Sequence, residues 1–170
     1  MIITDRFIIR KIRPKDWEWL YKIFEEFAKG DYWMYDYPVL LERENVIRLT
    51  LAFSIQEHFY GVFTPDGEKM MGYISFDDEC GVYEMGYSFH SDYHNKGIAF
   101  SACKEIMEYL RRENVVLKFT AGTAIDNIPS VKLLEKLGFT LVGTEENAFH
   151  KDQNGDPIRF VGGIYEKISV

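Results

Sequence analysis

The chain has 170 residues, a length that suits one compact domain with a sizeable core spanning residues 1–170. Hydrophobic residues make up 46% and charged residues 28%, the balance of a globular protein rather than a disordered one. A formal net charge of −7 argues against nucleic acid as the main partner and tolerates cationic partners such as amines. No apolar run approaches the roughly 20 residues that span a bilayer, so no membrane partner is expected. The amino terminus lacks a basic stretch followed by an apolar run and a cleavage site, and Cys80 and Cys103 make no disulfide framework. The expected location is the cytoplasm.

Residues Arg6 to Lys11 read as a first strand. Asp16 is placed to cap a helix carrying Trp17, Leu20, Tyr21, Ile23, Phe24 and Phe27, which Gly30 ends. Asp31 to Pro38 interleaves aromatics with carboxylates, a composition that suits either a pocket wall for an amine or a lid packed on the core. Leu40 to Leu51 reads as a short helix. Phe53–Phe63 and Lys69–Phe76 read as strands joined by the turn Thr64-Pro65-Asp66-Gly67. Asp77–Gly81 is a further turn, and Val82–Phe89 a strand.

After Gly97, the residues Ile98, Ala102, Ile106, Met107 and Leu110 recur at helical spacing to about Arg112. A helix opened by a short polar loop leaves amide N–H groups without intrahelical partners, and the dipole adds positive charge there. Gly97 permits close approach, Ala99 adds little bulk and Lys96 supplies a cation, so the loop suits a phosphate or diphosphate. An ordinary strand-loop-helix connection would look the same. Neither Gly-x-x-x-x-Gly-Lys-[Ser/Thr] nor Gly-x-Gly-x-x-Gly is present, which disfavours an ATPase or a dinucleotide enzyme.

Val115–Thr123 reads as a strand, parallel to Val82–Phe89 because a helical crossover joins them. Asp126-Asn127-Ile128-Pro129 opens a second helix that Gly138 stops. Phe139–Gly143 and Ile158–Ile168 are the last strands, with a turn over Asp152–Pro157. The expected class is α+β: a mixed, mostly antiparallel sheet with a central parallel βαβ unit, flanked by helices.

His94-Asn95-Lys96-Gly97-Ile98-Ala99 resembles the diphosphate loop of the GNAT superfamily of acetyl-coenzyme-A-dependent N-acetyltransferases, [Gln/Arg]-x-x-Gly-x-[Gly/Ala]. The run from Asn127 through Ser130 to Gly138-Phe139 is similar to that superfamily's Asn-x-x-[Ser/Ala]…Gly-Phe segment. With Glu84-Met85-Gly86-Tyr87, it looks most like the ribosomal-protein N-terminal acetyltransferase branch. His94 departs from the pattern where Gln or Arg is usual, and Asn95 where glycine is frequent.

The resemblance implies a GNAT-like fold and acetyl-coenzyme A as cosubstrate, with His94, Asn95, Lys96, Gly97, Ile98 and Ala99 cradling its diphosphate. Phe89 would offer main-chain hydrogen bonds to the pantetheine arm, and Asn127 would hold the same molecule from the far side or simply cap its helix. Glu84 is the candidate general base, its alternative being a solvated strand carboxylate. Ser130 matches the serine this branch offers near the thiol, where it could relay a proton or cap the helix. The superfamily's frequent acid tyrosine is replaced by Leu134.

Trp33, Tyr35 and Tyr37 are the candidate acceptor-binding residues, with Asp77–Glu79 also expected near the acyl end. The acceptor would be an amine-bearing small molecule or a protein N-terminus. A non-catalytic coenzyme-A-binding sensor domain and a transferase of another acyl group are the rival readings. His90 and His94 lack a third ligand, so no metal is expected; Cys103 reads as core, and His58 and His150 carry no signal. Exposed final strands would allow a homodimer.

Overall fold

The computed structural model describes residues 1–168. Eight strands, β1 (Ile2–Ile3), β2 (Ile8–Lys11), β3 (Phe59–Phe63), β4 (Met70–Glu79), β5 (Val82–Phe89), β6 (Lys118–Ala124), β7 (Thr140–Lys151) and β8 (Pro157–Ile168), form one sheet. Its order is β1-β2-β3-β4-β5-β6-β8-β7. The helices are α1 (Trp17–Lys29), α2 (Arg43–Ile55), α3 (Ile98–Glu113) and α4 (Ile128–Leu137). This is the mixed α+β, mostly antiparallel architecture expected, with β5 and β6 as its one parallel pair among the described residues.

Helices cover both faces. The faces of α3 and α4 that carry Ile106, Leu110 and Leu134 pack on Ile74, Phe76, Met85 and Phe119. On the other side, Leu20, Ile23 and Phe24 of α1 and Val46 of α2 pack on Phe59, Phe63 and Met70. Along β5 the side chains alternate with period two, so Tyr83, Met85, Tyr87 and Phe89 face α3. Glu84, Gly86 and Ser88 therefore face the α1 side.

Several expected boundaries move. The segment from Phe53 is not strand until Phe59: Phe53–Ile55 complete α2, and the Phe53 ring stacks on Phe59 at 4.4 Å. That stacking across the helix–strand junction uses the aromatic residue that resembles strand composition. The turn expected over Asp77–Gly81 narrows to Cys80 and Gly81, with φ of 50° and 85°, the two-residue hairpin geometry that lets β4 run on to Glu79. Strand β6 begins at Lys118, because Val115 and Leu117 are exposed. Strand β7 runs far beyond Gly143, paired with β8 throughout but with the register shifting between Leu141 and Gly143 and between Asn147 and His150. The short β1 was not anticipated.

Asp16 does not cap α1. No side-chain cap bond is made; its carboxylate instead accepts from Arg10 Nη1 at 2.8 Å, Arg10 Nη2 at 3.1 Å and the Arg13 amide at 2.8 Å. The guanidinium also lies over the Phe63 ring, 3.6 Å from its centroid. A buried carboxylate gains more from a bidentate charged partner than from one exposed amide, which explains the exchange.

A slot opened by diverging strands forms the candidate active site

Strands β5 and β6 pair only at Val82–Lys118, Tyr83–Phe119 and Glu84–Thr120. Beyond Glu84 each follows its outer neighbour: β5 stays in register with β4 to Phe89–Gly72, and β6 with β8 to Ala124–Gly162. The sheet's own twist and these outer ladders pull the two strands apart. Gly86 and Gly122, next along the strands on the α1 side, put no side chain in the gap. A slot therefore passes through the sheet above Glu84.

At the slot's mouth the chain turns through Asn95 (φ 56°) and Gly97 (φ 72°), both left-handed, into α3. The first α3 amide to close on the helix is that of Ser101, bonded to Gly97 O at 3.0 Å. The amides of Ile98, Ala99 and Phe100 precede it and lack that helical partner. His94, Asn95, Lys96 and Gly97 are exposed, while the Ile98 side chain is buried and offers only its backbone. A Cβ on Gly97 would meet nothing nearer than Arg6 Nη1 at 3.9 Å, so the cradle is open. These residues fit a diphosphate.

Two tethers hold the cradle, and neither was visible in the local sequence. Arg6 donates through Nη2 to Lys96 O at 2.5 Å and through Nη1 to Ser101 Oγ at 3.4 Å, adding a cation beside the loop. Glu26, near the end of α1, accepts from the Ser91 amide at 2.9 Å and from the Ser91 hydroxyl. Burial works to raise the Glu26 pKa, but the two Ser91 bonds and the His90 and His94 charges outweigh it and leave the carboxyl below its ordinary value.

His94 Nε2 lies 2.7 Å from Phe89 O, so its ring already occupies the carbonyl expected to face a pantetheine arm. The Phe89 ring lies over Gly72, where a Cβ would come within 2.4 Å of it.

On the α3 side of the slot, the Tyr87 hydroxyl meets Ser130 Oγ at 2.7 Å. Burial drives the Tyr87 pKa well above the ordinary phenol value, only partly offset by this bond, so the phenol stays protonated near neutrality. Asn127 caps α4, its Oδ1 accepting from the Ser130 amide at 3.4 Å, which leaves its Nδ2 group uncommitted. Leu134 is fully buried in the core, and Cys103 is buried too, its thiol pKa pushed up by desolvation. Tyr87 was missed as a site residue; its place within Glu84-Met85-Gly86-Tyr87, on the inward face of the strand, was the available signal.

Glu84 is exposed at the foot of the slot, level with Asp77 on β4 and Thr120 on β6. It stands on the opposite face of β5 from Tyr87 and roughly 10 Å down the strand, at about 3.3 Å per residue. The structure thus sets Glu84 and Ser130 on opposite sides of the sheet.

Above Glu84 on its own face, a cavity of about 530 Å³ reaches Ser88 on β5 from between α1, α2 and the segment after α1. Trp33 and Tyr37 line it, with Phe24, Phe27 and Tyr73. Tyr35 does not; its ring packs edge-on against Phe160 at 5.1 Å. Asp36 also lines it: the carboxyl touches solvent at the rim, yet burial by the cavity walls raises its pKa despite the Tyr37 amide and His150.

A parallel pair that opens into a slot, with a bare helix N-terminus at its mouth, defines a class of fold suited to an extended, phosphate-bearing ligand. The chain belongs to the acetyltransferase (GNAT) domain family, whose model matches residues 6–140. Acetyl transfer from acetyl-coenzyme A is accordingly its class of chemistry. The chain is 29% identical over 146 residues, 84% of each protein, to YnaD, an uncharacterised N-acetyltransferase of Bacillus subtilis (strain 168). Over 165 residues, 89% of this chain and 81% of the relative, it is 21% identical to the ribosomal protein uS5-alanine N-acetyltransferase of Escherichia coli (strain K12). A GNAT-family acetyltransferase from Bacillus anthracis shares the fold, with a TM-score of 0.79 at 22% identity over 99% of this chain and 98% of that one.

Proposed function

We propose that the chain works as one domain that moves an acetyl group from acetyl-coenzyme A to a primary amine by direct attack. The carrying observation is the slot between β5 and β6, with an anion cradle at its mouth and different chemistry on its two faces.

In this reading the amides that open α3, together with Asn95, Lys96 and Gly97, grip the diphosphate of the cosubstrate, and Asn127 Nδ2 contacts the same molecule. The His94 ring either stays on Phe89 O or yields it to the pantetheine arm. The thioester enters the slot from the α3 side and the amine from the α1 side. Glu84, through water, receives one proton from the ammonium. Attack forms the C–N bond, and collapse breaks the C–S bond. Ser130, oriented by Tyr87, delivers a proton to the departing thiolate. The second nitrogen proton balances that delivery, so one proton is released per turnover.

The test is thiol release from acetyl-coenzyme A with a panel of primary amines, alongside calorimetry for coenzyme A. Turnover that falls at least tenfold in both Glu84→Gln and Ser130→Ala, with coenzyme A still bound, supports the reading. Unchanged turnover in both variants removes the residue assignment; absence of heat with coenzyme A removes the function.

A further inference from the structure

Resting on that acetyltransferase reading, we infer that the acceptor is a small amine with a single positive charge and an apolar aryl or alkyl body, its nitrogen held between Asp36 and Ser88 and its body among the aromatic walls of the α1-side cavity.

Three observations lead there. The first is the composition of the cavity. Phe24, Phe27, Trp33, Tyr37 and Tyr73 are among the lining residues, and Asp36 is the one carboxylate among those described. No lysine or arginine is among them. An amino acid would bring its own carboxylate against Asp36 with no cation to receive it. A polyamine would bring further ammonium groups into a cavity whose lining offers no second carboxylate to pair with them. An amino sugar would place hydroxyl groups against Phe24 and Phe27 without partners.

The second is the state of the polar atoms. Asn45 Nδ2 is committed to Leu40 O at 2.8 Å, and His150 Nε2 lies 2.8 Å from Asp36 O. Asp36 Oδ1 accepts from the Tyr37 amide at 2.7 Å, but Oδ2 takes no bond among the described residues. The Ser88 and Tyr73 hydroxyls also take none among the described residues; both residues line the cavity, and Ser88 also borders the neighbouring pocket beside Glu26. Asp36 stands close enough to Tyr73 for its charge to raise the phenol pKa further, after burial. One free carboxylate oxygen and two hydroxyls on the sheet match the three donor hydrogens of one ammonium group.

The third is position and size. Ser88 lies two residues past Gly86, on the same face, so nitrogen held there sits beside the slot. About 530 Å³ is the volume of a small-molecule pocket, and aromatic faces attract a cation as well as burying its hydrocarbon.

Chemically, R–NH3⁺ loses one proton through water to Glu84 and on to solvent, the nitrogen forms the C–N bond as the C–S bond breaks, and a second N–H proton balances the thiol released. The products are the N-acetyl amine and free coenzyme A.

The experiment compares kcat/KM for phenethylamine and hexylamine with that for spermidine, glucosamine and an alanine-initiated peptide, using the full chain. At least a tenfold preference for the two apolar amines is expected. Asp36→Asn should raise the KM for phenethylamine tenfold or more while the Kd for coenzyme A stays constant by calorimetry, and Ser88→Ala should give a smaller rise in the same direction. Preference for spermidine, the sugar or the peptide overturns the inference, as does an unchanged KM in Asp36→Asn. Coenzyme A binding without turnover of either apolar amine overturns it too. Failure to bind coenzyme A at all is a different result, because it removes the acetyltransferase reading itself.

Discussion

The Tyr87 hydroxyl and Ser130 Oγ lie 2.7 Å apart, joining the diverging end of β5 to the first turn of α4. The bond crosses the slot on the side opposite Glu84. Tyr87→Phe is expected to cut kcat about tenfold or more by freeing the serine rotor. Ser130→Ala should do the same, and the double variant should lose little beyond either single one, because both act through one hydrogen bond. Steady-state kinetics on the three variants, with chemical denaturation to confirm folding, checks this. Additive losses would show that the two hydroxyls act independently.

Arg6 reaches the cradle from the loop between β1 and β2, pinning Lys96 O and touching Ser101 Oγ. Arg6→Gln removes both the fork and the charge beside the diphosphate site. The Kd for coenzyme A should rise about tenfold, close to 1.4 kcal/mol. Arg6→Lys should recover only part of this, since an ammonium lacks the guanidinium's fork. Calorimetry at two salt concentrations separates the contributions: the charge part shrinks with salt and the positioning part does not.

Asp16 and Arg10 form a bidentate pair whose side chains are 6% and 16% exposed. Removing one partner leaves the other charge buried and unpaired. Asp16→Asn should therefore lower the unfolding free energy by about 3–5 kcal/mol, far more than the loss of a helix cap, at about 1 kcal/mol. Urea unfolding distinguishes the two. A loss near the smaller figure would show that the buried pair contributes no more than a single cap bond would.

Glu26 titrates below its ordinary value in the folded chain, because the Ser91 bonds and the nearby histidine charges outweigh burial. A carboxyl depressed on folding contributes stability above its unfolded pKa, and that contribution fades as pH falls through the lower folded value. The tether between α1 and Ser91 should therefore hold above about pH 4.5, the group's ordinary value, and weaken below it. Thermal unfolding followed from pH 6 down to roughly pH 3 should fall less steeply in Glu26→Gln than in the parent chain. Parallel curves would show that the tether does not carry this linkage.

By itself the sequence determined the parts whose physics is local. The glycine at the start of α3, the period of its apolar residues, Asn127 ahead of Pro129 and the glycine after α4 specify backbone conformation within a few residues, and each lies where it was expected. Aromatic residues near helix ends were harder: Phe53 looks like strand and belongs to α2, because ring stacking on Phe59 outweighs its intrinsic preference. Only the tertiary structure decided that Arg6 braces a loop 90 residues away and that Tyr87 meets Ser130 across 43. It also placed Glu84 on the far side of the sheet from Ser130. The reason is that pairings between distant segments depend on sheet order and strand divergence, and no short stretch of residues encodes either.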